Sequence, residues 1–284
     1  MTALPPKPIE PGMGEVSDHR SSPVARWKKG ALSQAVDEVA EEVPVAMVYN
    51  GISHVVMLAT PTSLEAFGLG FRLSEGILHN RRELQASEII ERSNGIELHM
   101  TIAQERFFEL KQRRRNLAGR TGCGLCGAES LQQLRRPLTL VKHGQIFTDN
   151  AIHDALGQLP GMQSLQQLTG AVHAAAWVTA EGRITDIEED VGRHNALDKL
   201  IGRLAMRGTN FSEGFAIVTS RASYEMVQKS ASVGTPMLVA VSAPTGLAID
   251  LAREAGVTLV GFARADSHVI YAHPQRLSGQ QASL

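Results

Sequence analysis

Two cysteines, Cys123 and Cys126, stand in the stretch Gly122-Cys-Gly-Leu-Cys-Gly127, and the 284-residue chain has no others. A spacing of three positions lets both sulfurs address one reaction centre, and the flanking glycines carry no side chains to shield them. The thiolate, not the thiol, is the nucleophile, and nearby positive charge lowers a thiol pKa. Arg113, Arg114, Arg115 and Arg120 lie just upstream, and residues 105–120 hold six basic side chains against two acidic ones. The residues point to chemistry that passes through sulfur.

Several sulfur chemistries compete. A structural zinc site takes four protein ligands, and there is no second cysteine pair. His143 and His153 have nine residues between them, not the three to five of a finger. A thioredoxin-like pair belongs after the first strand of a βαβ unit, whereas this one follows a basic helix. Buried inert thiols are common, but the glycines and arginines weigh against them. A nucleophilic or sulfur-carrying thiolate is the favoured reading.

A second set of polar residues falls where strands are expected to give way to helices. It comprises Asp190-Val-Gly-Arg-His-Asn195, Thr219-Ser-Arg-Ala-Ser223, Ser242-Ala-Pro-Thr-Gly246 and Phe262-Ala-Arg-Ala-Asp-Ser267. In an α/β sheet such junctions gather at the carboxyl edge of the strands, where ligands bind and helix N-termini favour anions. Arg193, Arg221 and Arg264 would suit phosphate, which a guanidinium matches in a fork. For Asp190, Ser220 or Thr245 taken singly, helix capping is the favoured explanation, and it is the recurrence at junction after junction that favours an anionic ligand. His194, near a helix start, reads as a proton shuttle, a phosphate donor or a packed histidine. Asp198 and Lys199 read as solvated charges. None of these segments is a Walker or dinucleotide fingerprint.

The elements that must position these residues follow from pattern. Residues 1–26 carry Pro5, Pro6, Pro8, Pro11 and Pro23 with few large apolar residues, which reads as a flexible tail, so the fold is expected to begin near Trp27. Strands are expected at Val43–Tyr49 and Ile52–Ala59 around Asn50-Gly51, and at Glu88–Ser93 and Ile96–Ile102 around Asn94-Gly95. Thr62-Ser-Leu-Glu65 fits a capping box opening a helix to about Ser74. A basic helix over 104–117 leads to the cysteines, and a short helix at Ala128–Leu134 would hold them at its thiolate-favouring end. Beyond lie strands at Val172–Val178, Arg183–Ile187, Phe215–Thr219, Met237–Val241 and Thr258–Ala263, with helices near 194–206, 223–232 and 247–255. The expected class is α/β. A small α+β domain (27–121) and a cysteine loop with connector (122–148) precede a layered α/β domain (149–284).

Lys+Arg total 28 against 29 Asp+Glu, a net charge of −1, and 43% of residues are hydrophobic. That balance implies a substantial core and no global field for nucleic acid. No apolar run approaches the ~20 residues of a membrane span, and no signal peptide is legible. The expectation is a cytoplasmic protein without nucleic-acid or membrane partners.

Taken together, Gly122-Cys-Gly-Leu-Cys-Gly127, Glu189-Asp-Val-Gly-Arg-His-Asn-Ala-Leu-Asp-Lys199, Thr60-Pro61 through Leu73-Ser-Glu-Gly76, Thr219-Ser-Arg221 and Gly261-Phe-Ala-Arg264 resemble hallmark segments of the FdhD family of formate dehydrogenase accessory proteins. The resemblance runs from about residue 40 to 277. It implies a sulfurtransferase that carries sulfur as a persulfide from a cysteine desulfurase to the molybdenum (or tungsten) bis-pterin guanine dinucleotide cofactor, before insertion into the formate dehydrogenase catalytic subunit. Cys123 matches the persulfide-bearing cysteine and Cys126 its companion. Phe262, Ala263, Arg264, Ala265, Asp266 and Ser267 match the cofactor-binding segment, and the metal arrives with the acceptor, none being intrinsic. The resemblance also implies a homodimer and a larger domain similar to the cytidine deaminase fold. Deaminase chemistry is not expected, because His173-Ala-Ala175 stands where deaminases carry His-x-Glu and the downstream cysteine ligands are missing. The alternative function is a non-catalytic module that binds and delivers the cofactor.

Overall fold

A computed structural model describes residues 17–115, 140–141 and 145–278. The expected tail is shorter than its prolines suggested. His19–Lys28 (β1) and Ala31–Ala40 (β2) form an antiparallel hairpin, paired from His19↔Ala40 to Lys28↔Ala31. Lys29 and Gly30 both take positive φ, the two-residue turn whose twist matches the strands. Pro23 is tolerated because a two-stranded ribbon has only edges, where its missing N–H costs no ladder bond. Residues 1–16 lie outside the described residues.

Val43–Tyr49 (β3) and Ile52–Ala59 (β4) form the expected hairpin, with Asn50 and Gly51 both at positive φ. Leu84–Arg92 (β5) and Gly95–Ile102 (β6) form another, and β3 pairs parallel to β6 to give the order β4-β3-β6-β5. Here the turn differs from expectation. Arg92 pairs with Gly95, so Ser93 and Asn94 turn the chain. Gly95 serves close approach instead, since a β-carbon there would meet the Pro44 carbonyl oxygen at 2.5 Å.

Leu64–Ser74 (α1) starts where expected, but no capping box forms. Ser63 sits in the left-handed region without a side-chain cap, and its hydroxyl accepts from Arg203 at 3.0 Å. Gln104–Arg115 (α2) closes the first described stretch.

The second half holds Phe147–Thr148 (β7), Asp149–Met162 (α3), Ser164–Thr169 (α4), His173–Thr179 (β8), Ile184–Asp190 (β9), Arg193–Arg207 (α5), Gly214–Val218 (β10), Tyr224–Ser232 (α6), Met237–Ala240 (β11), Gly246–Ala255 (α7), Thr258–Gly261 (β12), Val269–Ala272 (β13) and Leu277–Ser278 (β14). Six strands make one mixed sheet in the order β13-β12-β11-β10-β8-β9. Both faces are covered. Phe215, Ile217, Met237 and Val239 pack toward α3, while Ala216, Val218, Leu238 and Ala240 pack toward α5, α6 and α7. This two-sided burial explains near-continuous apolar strands.

The small sheet and the large one, expected in separate domains, share a core. Met47, Leu98, Phe67, Leu197 and Leu238 belong to one continuous buried cluster. It is drawn together where α1 crosses α5. A β-carbon on Gly70 would lie 1.7 Å from the Asp198 carbonyl oxygen, and one on Gly202 would lie 1.8 Å from that of Ala66. The two backbones touch, and only glycine fits at those positions.

Candidate functional site

Strands β9, β10, β11 and β12 run in one direction, because β8 is antiparallel to both β9 and β10 while β10–β11 and β11–β12 are parallel. Their carboxyl ends form one rim, and His173, at the start of the opposed β8, lies on the same rim. Residues following these ends lead into α5, α6 and α7, whose N-termini therefore face it with positive dipole ends. Thr245 caps α7 by accepting from Ala248 N at 3.3 Å. Ser220 does not cap, since its hydroxyl donates to the Arg221 carbonyl.

A cleft of about 620 Å³ opens at this rim. One wall is α3, through Leu156, Leu159 and Pro160; His173, Thr219 and Val241 lie at strand ends; Ala263, Arg264 and Ala265 close the other side. The size suits a small-molecule ligand. The Thr219 hydroxyl oxygen accepts from Ala174 N at 2.9 Å, which fixes β10 to β8 at the mouth. Burial, with the nearby charges of Arg193 and His194, lowers the His173 pKa, so this imidazole is neutral at pH 7.

The segment 262–267 is a tight, strained turn. Phe262 adopts φ 50° and is 46% exposed, a conformation rare for a bulky residue and one that recurs at ligand clamps. Its N–H donates to the Ser242 carbonyl at 3.1 Å, and Arg264 N donates to the Ser267 carbonyl at 2.7 Å. Ala263 is buried. The Arg264 guanidinium donates to the Val241 and Ala263 carbonyls, and the Ser267 hydroxyl donates to Asp266 at 3.2 Å. Of the six segment residues, Ala263, Arg264 and Ala265 line the cleft, while Phe262, Asp266 and Ser267 are exposed beside it.

His194 is neither free nor merely packed. Its Nε2 lies 2.7 Å from Glu225 Oε2, with the Ser223 hydroxyl 3.5 Å away. Burial raises the Glu225 pKa, but the hydrogen bond and charge of His194 bring it below the ordinary carboxylate value. Arg221 is exposed on the rim, and Arg193 opens α5.

The reading of Asp198 and Lys199 as solvated charges is overturned. Both are fully buried, because the face of α5 that bears them is covered by α1 and the end of β4. Lys199 pairs with Asp190 at 2.7 Å and donates to the Thr60 carbonyl at 2.8 Å. Asp190 also accepts from Thr60 N and Gly192 N and from the Asn195 amide, and Asn195 donates to the Leu58 carbonyl. Asp198 accepts from Lys229 through both oxygens at 2.9 Å and from the Ser74 hydroxyl at 2.6 Å. Burial pushes the Asp198 carboxyl up against the pull of Lys229. Most charges in the 189–199 segment thus join the two halves rather than face a ligand.

Cys123, Cys126, Arg120 and the short helix expected at 128–134 lie outside the described residues. The chain leaves the described structure at the end of α2. It is held again at Val141, whose N–H donates to the Ala255 carbonyl at 2.9 Å and whose carbonyl accepts from Arg276 at 3.3 Å. Among the described residues no cluster of three His, Cys, Asp or Glu side chains could hold a metal ion. No described helix is long and apolar enough to cross a membrane.

Sequence reasoning missed α3 and α4 and with them one wall of the cleft. A signal was present: Thr148 caps α3 through Ala151 N at 3.0 Å, followed by apolar Ile152, Ala155, Leu156 and Leu159 at helical spacing.

Comparison with known proteins agrees with this architecture. The chain is 56% identical to a sulfur carrier protein of Cupriavidus necator over 277 residues, covering 98% of this chain and 96% of that one. A solved structure from Desulfotalea psychrophila, described as a candidate formate dehydrogenase accessory protein, superposes with a TM-score of 0.71 at 23% identity, covering 92% of this chain and all of that one. The family model of FdhD/NarQ matches residues 40–278, with both walls of the cleft and the cysteine pair inside the match, and the chain belongs to that family.

Proposed function

We propose that this protein is a cytoplasmic sulfur carrier required for formate dehydrogenase activity. It takes sulfur from a cysteine desulfurase and transfers it to the molybdenum bis-pterin guanine dinucleotide before that cofactor is inserted. One observation carries the reading: Ala263, Arg264 and Ala265, from the segment that resembles the family's binding motif, line a cleft at the carboxyl rim of the sheet, where helix N-termini and arginines suit a phosphate-bearing acceptor. The relative named as a sulfur carrier supports it. The mixed sheet with helices on both faces is compatible with the cytidine deaminase-like layering implied for the larger domain.

The first step is thiol exchange. The Cys123 thiolate attacks the outer sulfur of the desulfurase persulfide, a new S–S bond forms on Cys123, and the donor cysteine leaves as thiolate. In the second, the Cys126 thiolate attacks the inner sulfur of the Cys123 persulfide. A Cys123–Cys126 disulfide closes, and the outer sulfur departs as hydrosulfide to ligate the acceptor's metal. A cellular dithiol resets the pair. The acceptor is a substrate here, and this chain's part is to bind its phosphates and present the sulfur.

The test is to incubate the protein with a cysteine desulfurase and cysteine and map adducts by mass spectrometry. An added sulfur on Cys123 is expected. Its absence, under conditions that load a known carrier, overturns the reading. Formate dehydrogenase activity that survives Cys123→Ala in a deletion background would instead favour delivery of the cofactor without sulfur transfer.

A further inference from the structure

We infer that Asp149, His153 and His268 form a hydrogen-bonded latch that positions the 262–267 segment against α3 and so sets the width of the cleft. His268 follows the segment directly, and its side chain is only 8% exposed. Its Nε2 lies 3.2 Å from Asp149 Oδ1, and its Nδ1 lies 3.1 Å from His153 Nε2. A carboxylate only accepts, so the proton of neutral His268 is assigned to Nε2; Nδ1 is then an acceptor, and His153 must donate from Nε2. The partners sit on opposite ring nitrogens of His268, so the three groups form a chain and not a convergent metal site, consistent with the absence of such a site among the described residues.

The latch and the cleft share one helix stripe. Asp149, His153, Leu156 and Pro160 fall at i, i+4, i+7 and i+11 of α3, which is one face. The first two hold His268, and the last two line the cleft. The opposite wall, Ala263–Ala265, is three to five residues before His268. What happens at one end of the stripe therefore sets the spacing at the other.

The titratable groups bearing on His268 are Asp149 and His153, both from α3; Asp266, in its own segment, is exposed and bonded to Ser267. Burial lowers the His268 pKa, Asp149 opposes that, and His153 adds to it. A proton added at His268 Nδ1 removes the acceptor that His153 addresses, and the bond between the rings is then kept by the other tautomer of His153, with Nε2 accepting. Asp149 and His153 are positioning residues, since neither lines the cleft.

The latch can be tested without ligand, by hydrogen exchange of the full chain read on peptides spanning 262–269. At pH 7.5, His153→Ala should speed exchange of that segment about fivefold, the loss of one neutral hydrogen bond, with β10 and β11 unchanged. His153→Gln, whose amide still donates to His268, should restore protection. Equal protection in native and His153→Ala, or no recovery in His153→Gln, overturns the latch. If His153→Ala loosens the whole sheet, His153→Gln decides, since native protection of 262–269 upholds the latch and its loss overturns it. The effect on ligand rests on the cleft reading above and has its own readout, calorimetry with guanosine diphosphate. A responsive segment in a native protein that does not bind the nucleotide upholds the latch and overturns the binding reading. Nucleotide affinity equal in native and His153→Ala overturns control of the cleft.

Discussion

Lys199 Nζ lies 2.7 Å from Asp190 Oδ2 with neither side chain exposed, so the second turn of α5 is tied back to the end of β9 inside the protein. Thr60, at the end of β4, completes the arrangement by donating its N–H to Asp190 and offering its carbonyl to Lys199. Breaking one partner of such a buried pair strands the other charge and costs about 3–5 kcal/mol. Lys199→Met should lower the urea midpoint accordingly. The double variant Asp190→Asn with Lys199→Met should recover part of the loss, because no uncompensated charge remains.

Two glycine substitutions should act with opposite signs. Gly202→Ala puts a carbon 1.8 Å from a backbone oxygen, an obstacle that no side-chain rotation relieves. Destabilisation at or above the upper end of the ~1–3 kcal/mol of ordinary overpacking is expected. Gly157→Ala, inside α3 with nothing within 4 Å of the new carbon, should stabilise by about 0.5–1 kcal/mol. Chemical denaturation of both variants checks the contrast.

Acidification should weaken the fold through His173 and His268. Burial is the first cause of a lowered pKa in both, so as pH falls the unfolded chain takes up protons at these positions before the folded one does. Their contribution is full above about pH 6.5, the unfolded value, and is lost as pH falls from there through the folded values. Thermal melts from pH 8 to 5 should show a decline that begins near 6.5, and His268→Gln should make it shallower.

Arg264→Ala should weaken binding of guanosine diphosphate by about tenfold or more, the worth of a charge-assisted hydrogen bond, with little change in stability, since the residue is exposed. Raising the salt concentration should narrow the gap between native and variant. Titration calorimetry at two ionic strengths measures both effects.

Strands β8 to β12 and helices α5, α6 and α7 were legible in the sequence because each carries a strong apolar pattern. Phe215–Val218 and Met237–Ala240 are unbroken apolar runs, and α5 carries Leu197, Leu200, Ile201 and Leu204 at helical spacing. The turn at Asn50-Gly51 was legible from its chemistry, whereas the Lys29-Gly30 turn uses a residue pair that carries no such signal. Asp198 and Lys199 were misread because groups that hold them, Ser74, Lys229 and Thr60, are remote in sequence. A charge is solvated or buried according to what covers it, and the covering helix α1 lies more than a hundred residues away. The cleft was half legible: the polar residues at strand ends announced the rim, while the Thr148 cap and the apolar spacing after it signalled a helix but not where that helix would lie. The latch was hidden for the same reason, since His153 and His268 meet only when α3 lies against the end of the sheet.

The crossing of α1 and α5 limits how the cleft can move. At Gly70 and Gly202 backbone rests on backbone, so at these two points no side chains stand between the halves that could slide or re-pack as lubricant. A shear of one half over the other would drive main chain into main chain. Opening and closing must therefore be local, borne by α3 and by the turn at Phe262, while the body beneath them acts as a rigid anvil.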